Sequence, residues 1–175
     1  MYQTGDRVVY GIHGVCVVAD QEQRKVDGKL VTYLVLEPVG QEGSRFLVPT
    51  HNALAMAKLS PMLTKDELEA LLNSAEVRAD GWISDENRRK QLYRELIGSG
   101  DRGKLIQQVR ALYRHKKALA EAGKRCHLCD DNFLRDAERL LVNEMAIVLE
   151  TDQDSAKAYL REKLNEDARC VLVFL

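Results

Sequence analysis

The sequence has few of the features that mark membrane or secreted proteins. No stretch of its 175 residues approaches 18 uninterrupted apolar residues, so it predicts no membrane span. Its first residues lack the basic and apolar regions of a signal peptide. Four cysteines without such a signal favour reduced thiols and a cytoplasmic location. Tryptophan is also scarce: the chain has one, Trp82.

Net charge is nearly absent, because 26 Lys and Arg are set against 27 Asp and Glu. That balance hides a basic segment, residues 88–125, which carries twelve basic and three acidic side chains. A local excess of this sign can attract phosphate even when the whole protein is slightly acidic. The segment therefore predicts contact with nucleic acid, while the plainer interpretation is a solvated helix surface.

The first sixty residues predict a small antiparallel sheet. Short runs of β-branched and aromatic residues are separated by glycines and charges. The sequence Asp27-Gly28 predicts a two-residue type I′ hairpin turn. The expected strands are at about 7–10, 15–25, 30–37 and 45–48. Four strands in fifty residues describe a half barrel of the Tudor or SH3 type, with an edge that a partner strand could extend.

The apolar spacing then becomes helical. Thr64 to Glu67 is a capping box, and Ser84 is expected to cap a helix that stops at Gly98. Further helices are expected at about 102–122 and 130–150, and residues 151–154 are expected to open a last helix that runs to about 165. The second half is therefore predicted to be a helical bundle.

The predicted fold class is α+β, with an N-terminal antiparallel half barrel at 1–60 followed by an all-α bundle at 61–167. An apolar, β-prone tail at 168–175 has no assigned role.

Trp82 lies in a glycine-containing linking segment just before the basic helix, and not on an apolar stripe. A lone Trp usually fills a gap between helices. The alternative is an exposed wedge that enters the minor groove where bases unstack. Arg88, Arg89 and Lys90 follow within two helical turns and could hold flanking phosphates.

A second basic surface is predicted on the third helix. Arg110, Arg114 and Lys117 are spaced four and three residues apart, so they share one helix face. We interpret them as a stripe that contacts phosphate, against the simpler possibility of a solvated face.

The order of these features resembles the CarD/CdnL family of bacterial transcription regulators. The strand pattern, with Gly5-Asp6-Arg7 and the Tyr10 to Gly14 turn, is similar to that family's polymerase-interacting domain. Leu112-Tyr113 and Ala137 to Leu141 fall in the order seen in its helical domain. The resemblance covers about residues 3–150.

The resemblance implies a protein that docks on the RNA polymerase β subunit and stabilises the promoter open complex, with weak sequence specificity. Trp82 would insert at the upstream edge of the bubble. Arg24 matches a basic contact to the β subunit, and Val26 an apolar one. Leu47 departs from relatives with an arginine there, and Arg45, two residues earlier, could substitute for it.

Two other patterns predict little chemistry. Gly98 to Lys104 has the spacing of a phosphate-binding loop, but Leu105 replaces the required Ser or Thr and a helix precedes it. Cys126-His127-Leu128-Cys129 offers metal-like spacing without four ligands, so metal or redox function remains an alternative.

No set of side chains has the partners that catalysis needs. We therefore expect no enzyme activity, no cofactor, no metal and no small-molecule substrate. The competing hypothesis is a protein–protein adaptor whose helical half binds a protein and whose Trp82 lies in the core.

Overall fold

The structure is a computed structural model that describes residues 2–41 and 43–165. These residues divide into two compact units, one formed by the described residues of 2–62 with 98–100 and the other by 63–97 with 101–165. The apolar tail at 168–175 lies outside the described residues. No helix of the described part is long and apolar enough to cross a membrane.

The first unit is a five-stranded antiparallel sheet, as the strand pattern predicted, with one additional strand. The strand order is β4-β3-β2-β1-β5. The strands are β1 Arg7–Tyr10, β2 Val15–Val26, β3 Lys29–Pro38, β4 Phe46–Pro49 and β5 Leu59–Pro61. A short helix, α1 Ala53–Met56, precedes β5. Neither α1 nor β5 was predicted, because four and three residues are too few to show a period.

The β2–β3 hairpin turns at the predicted position. Asp27 and Gly28 have φ of 48° and 78°, and Val26 pairs with Lys29. Both central residues of a type I′ turn need positive φ, which Asp tolerates and Gly adopts freely. The prediction of this turn is confirmed, and it fixes the register from the Val26–Lys29 pair to the Asp20–Val35 pair, beyond which a bulge between Val18 and Asp20 shifts it.

Alternation divides the sheet into two faces. The inner face forms the core of this unit, in which Val8, Val18, Leu34, Leu36 and Val48 are buried. The side chains between them point to the other face. In the half of β2 nearest the turn, that outer face is solvated.

The second unit is a helical bundle. Its helices are α2 Lys65–Leu72, α3 Ala75–Arg78, α4 Glu86–Ile97, α5 Arg102–Glu121, α6 Leu128–Val148 and α7 Gln153–Asn165. Its core is formed around Ile106, Leu112, Met145 and Leu160, which are fully buried. The long α5 and α6 are the elements on which the other helices pack.

The helix ends follow local capping chemistry. Thr64 and Glu67 form the predicted capping box at the start of α2. The expected Ser84 cap of α4 is wrong by one residue, because the side chain of Asp85 accepts the backbone N–H of Arg88 at 2.7 Å. Asp and Ser are nearly equal as N-caps, so the sequence did not choose between them.

Candidate functional site

Trp82 lies in residues 79–85, here called the Trp82 loop, which link α3 to α4 without regular structure. The indole is half-buried against the bundle core. It stacks on His115 of α5, with ring centroids 3.7 Å apart and an interplanar angle of 21°. The ring is therefore neither fully buried, as a core residue would be, nor fully exposed: it packs on the bundle and keeps a part of its surface in solvent.

Arg89 is not placed as predicted. Its side chain is 3% exposed and makes a two-point ion pair with Asp130, with Nε to Oδ1 at 2.8 Å and Nη2 to Oδ2 at 3.1 Å. Its guanidinium carbon lies 4.5 Å from the centroid of the Trp82 ring. This corrects the expectation that Arg89 holds DNA phosphate, because the charge is paired inside the bundle.

The electrostatics of this pair favour both charges. Although burial acts to raise the pKa of Asp130, hydrogen bonds from Arg89 and Tyr93 hold it below its usual range. The hydrogen bond to Asp130 raises the pKa of Arg89 despite the opposing effect of burial. Burial and the adjacent Asp130 raise the pKa of Tyr93, whose hydroxyl donates to Oδ1 at 3.0 Å. Both shifts favour the charged forms, so the pair is ionised at neutral pH.

Two other predicted cations of α4 are at the surface. Arg88 is exposed, and its guanidinium has no ion-pair or hydrogen-bond partner among residues 2–41 and 43–165. Lys90 lies one turn past Glu86 and pairs with it at 2.5 Å. Arg88 is therefore available to an anion, whereas Lys90 is partly neutralised.

The predicted stripe on α5 is also divided. Arg110 is 6% exposed and donates to the backbone oxygen of Arg78 at 2.7 Å, so its placement as a surface contact is corrected. Burial and the nearby Arg114 and Arg78 lower its pKa. Arg114 and Lys117 are exposed and border a groove of about 420 Å³ that Arg110 also lines.

Much of the charge of residues 88–125 is used within the unit. Among the described residues, at least five of its twelve cations form ion pairs with carboxylates, three of them with carboxylates on α6. These pairs are Arg89–Asp130, Lys90–Glu86, Arg102–Glu144, Lys104–Asp101 and Lys116–Asp131. The excess predicted from the sequence therefore overstates the surface charge.

The residues predicted to bind polymerase share the outer face of the sheet. Arg24 pairs with Val31 across β2 and β3, and Val35 pairs with Leu47 across β3 and β4. Val31 and Val35 are four residues apart on one strand, and directly opposed residues share a face, so Arg24 and Leu47 lie on the same side.

The remaining two members fit that face. Val26 is two residues beyond Arg24 and is exposed. Arg45 precedes β4 and pairs with Glu37 of β3 at 2.8 Å, and Glu37 is two residues from Val35. Arg24 pairs with Glu22 at 2.8 Å. The outer face thus combines exposed apolar side chains, Val26 and Leu47, with two cations whose carboxylate partners are partly exposed.

The cysteine pair lies at the start of α6. Cys126 and Cys129 are half-buried free thiols, and burial raises the pKa of Cys126. Cys129 Sγ lies 3.8 Å from Asp130 Oδ1. Within the described residues, no three His, Cys, Asp or Glu side chains converge as metal ligands would.

Sequence reasoning missed the residues that support Trp82. His115, Asp130 and Gln108 come from two helices, and each reaches the Trp82 loop or Arg89 only in the folded bundle. One signal was present: Asp130 lies three residues before Phe133 and seven before Ala137, so it falls on the buried stripe of α6, where a carboxylate needs a cation.

Two family models match the chain. The CarD-like/TRCF RID domain matches residues 2–60, and the CarD C-terminal domain matches residues 68–161. Together they cover both units and most of the chain, in the order of the sheet and then the bundle. They agree with a half barrel of Tudor type followed by a helical domain, and they describe transcription factors and not enzymes. The chain therefore belongs to the CarD-like family of RNA polymerase-interacting transcription factors.

Proposed function

We propose that this protein docks on the RNA polymerase β subunit through the outer face of its sheet and stabilises the promoter open complex through its helical unit. Arg24, Val26, Arg45 and Leu47 would make the polymerase contact. Trp82 would enter the minor groove at the upstream edge of the bubble. This function places the protein in the cytoplasm, where polymerase and promoter DNA are found.

The observation that carries the proposal is the half-exposed Trp82, followed six residues later by Arg88, which is exposed and has no ion-pair partner among the described residues. An aromatic wedge needs a rigid base and a free edge, and the stack on His115 supplies the base. A neighbouring guanidinium without a carboxylate partner can bind a phosphate next to the wedge.

The exposed cations of α5 extend this surface. Arg114 and Lys117 would bind further phosphates, with Lys90 contributing less because Glu86 shares its charge. Arg89 and Arg110 have no direct part in phosphate contact, since both are buried. Contacts of this kind read phosphate spacing and groove shape more than base edges, so sequence specificity should be weak.

The mechanism is differential binding. A wedge that fits partly unstacked DNA binds the open complex better than the closed one, so it shifts the population toward the open state and slows collapse of the bubble. A contact that was equal in both states would shift nothing.

Salt dependence tests the DNA contact. With polymerase and a fork-junction promoter fragment, removing one phosphate contact should lower the slope of log affinity against log salt by about one. Arg88→Gln and Arg114→Gln should each show this change. The exposed Arg135→Gln on α6 is the matched control and should leave the slope unchanged.

The adaptor hypothesis gives the opposite result. Its support is the packing of Trp82 on the bundle core. If Arg88→Gln and Arg114→Gln leave the slope unchanged while polymerase binding is intact, the helical unit does not contact DNA through this surface.

A further inference from the structure

Between Gly81 and Ser84, side chains of α4 and α5 tie the Trp82 loop to the bundle. Gln108 of α5 donates through Nε2 to the backbone oxygen of Gly81 at 2.9 Å. Arg89 of α4 donates through Nη1 to the oxygens of Ile83, at 2.8 Å, and Ser84, at 3.3 Å. The residues on both sides of Trp82 are therefore tied to the bundle.

Arg89 is the centre of this arrangement. Its Nε and Nη2 bind Asp130, while its Nη1 binds the Trp82 loop. These hydrogen bonds lie in the plane of the guanidinium and use its edges, so the flat faces remain for aromatic contact. The Trp82 ring, 4.5 Å from the guanidinium carbon, uses that surface.

We propose that Arg89 is a positioning residue that holds Trp82 in its DNA-ready orientation, with Asp130 and Tyr93 fixing the guanidinium. The inference rests on the proposed function for its biological meaning, and on the geometry alone for the orientation of the ring. Because the ring is already ordered in the folded protein, its conformational entropy is lost during folding and not during DNA binding. Less binding free energy is then lost when DNA binds.

A purely structural ion pair would need only the charge. A lysine in place of Arg89 could keep one contact to Asp130, but it lacks the planar fork that reaches the carboxylate and the loop together. Arg89→Lys therefore separates the two roles, because it keeps the charge and loses the bridge to the loop.

Trp82 reports its own surroundings, because it is the only tryptophan in the chain. We would measure emission wavelength and acrylamide quenching of the full-length protein, wild type and Arg89→Lys. We expect red-shifted emission and easier quenching in the variant. Promoter-bubble lifetime with polymerase should fall by about tenfold, because losing one charge-assisted hydrogen bond changes a rate by about this factor.

The matched control is Arg102→Lys. Arg102 is another largely buried arginine of the same unit, paired with Glu144 at 2.7 Å and 2.8 Å. It should lower the unfolding midpoint while leaving Trp82 emission and quenching unchanged. If Arg102→Lys and Arg89→Lys change Trp82 equally, the effect is general loosening and the proposal is overturned.

A second variant covers the case in which Arg89→Lys does not fold. Arg89→Met with Asp130→Leu and Tyr93→Phe leaves no buried charge or unpaired hydroxyl, so folding should be retained. If this triple variant keeps wild-type fluorescence, quenching and bubble lifetime, Arg89 does not position Trp82. If the wild type does not lengthen bubble lifetime, the proposed function fails, and the fluorescence still decides whether Arg89 orients the ring.

Discussion

The indole of Trp82 and the imidazole of His115 lie face to face, with centroids 3.7 Å apart. The only tryptophan of the chain is thus packed on a titratable ring from α5. The pair joins the Trp82 loop to α5 and limits the orientations open to the indole. Because burial disfavours the protonated imidazole of His115, the stability of this site should decrease at acidic pH.

We expect the free energy of unfolding to fall as pH falls below about 6.5. Burial lowers the pKa of His115, and Arg89 and His127 act in the same direction against the opposing Asp130. The unfolded imidazole therefore takes up its proton at higher pH than the folded one, so stability is lost as pH falls from 6.5 through the lower folded value. Urea unfolding of wild type and His115→Gln measures this. Equal pH slopes in the two proteins would contradict it.

Gly81→Ala should destabilise the bundle by about 1–3 kcal/mol, the usual cost of overpacking. A Cβ at Gly81 would lie 2.8 Å from Nε2 of Gln108 and 2.9 Å from Cγ of Gln107. Chemical unfolding measures the loss, and Trp82 emission should also shift. Gly98→Ala is the control, since its Cβ would meet no atom closer than 3.9 Å. Equal losses in both variants would rule out crowding at Gly81.

Arg24→Glu should weaken polymerase binding by about tenfold, as expected for a contributing interface residue. The matched change is Lys25→Glu, which reverses the same charge one position away on the opposite face of β2. The affinity of each variant for polymerase can be measured by biolayer interferometry. A similar loss in both variants would show that general charge, and not the outer face, governs binding.

Glu138→Gln should cost about 1–3 kcal/mol of unfolding free energy. Burial acts to raise the pKa of Glu138, but hydrogen bonds from Lys157 and Tyr113 hold it below 4.5. Its stabilisation is therefore present above 4.5 and is lost as pH falls through the folded value. Thermal unfolding at neutral and acidic pH measures both effects. The exposed Glu162→Gln is the control, and a neutral-pH loss as large as that of Glu138→Gln would contradict the assignment.

The parts of this fold that depend on residues close together in the sequence were predictable. The type I′ turn at Asp27-Gly28 and the α2 capping box depend on neighbouring residues, and both were found. Strand β5 was missed because its pairing with β1 joins residues some fifty positions apart, which no local period encodes.

The sequence predicted where the candidate site lies but not what each of its residues does. The sequence identified Trp82 and the cations after it, because composition and position carry that information. It could not separate Arg88 from Arg89, since only the bundle shows that Asp130 lies beside one of them. For the same reason Arg110 was grouped with Arg114, although one is buried and the other is exposed.

The proposal that Trp82 is a wedge in the open complex can be tested by measuring the lifetime of the promoter bubble. The measurement uses RNA polymerase and a competitor challenge, and compares wild-type protein with Trp82→Ala. We expect wild type to lengthen the lifetime and Trp82→Ala to lose most of the effect while still binding polymerase. If neither protein changes the lifetime, or if Trp82→Ala retains the full effect, Trp82 does not act as a wedge in the open complex.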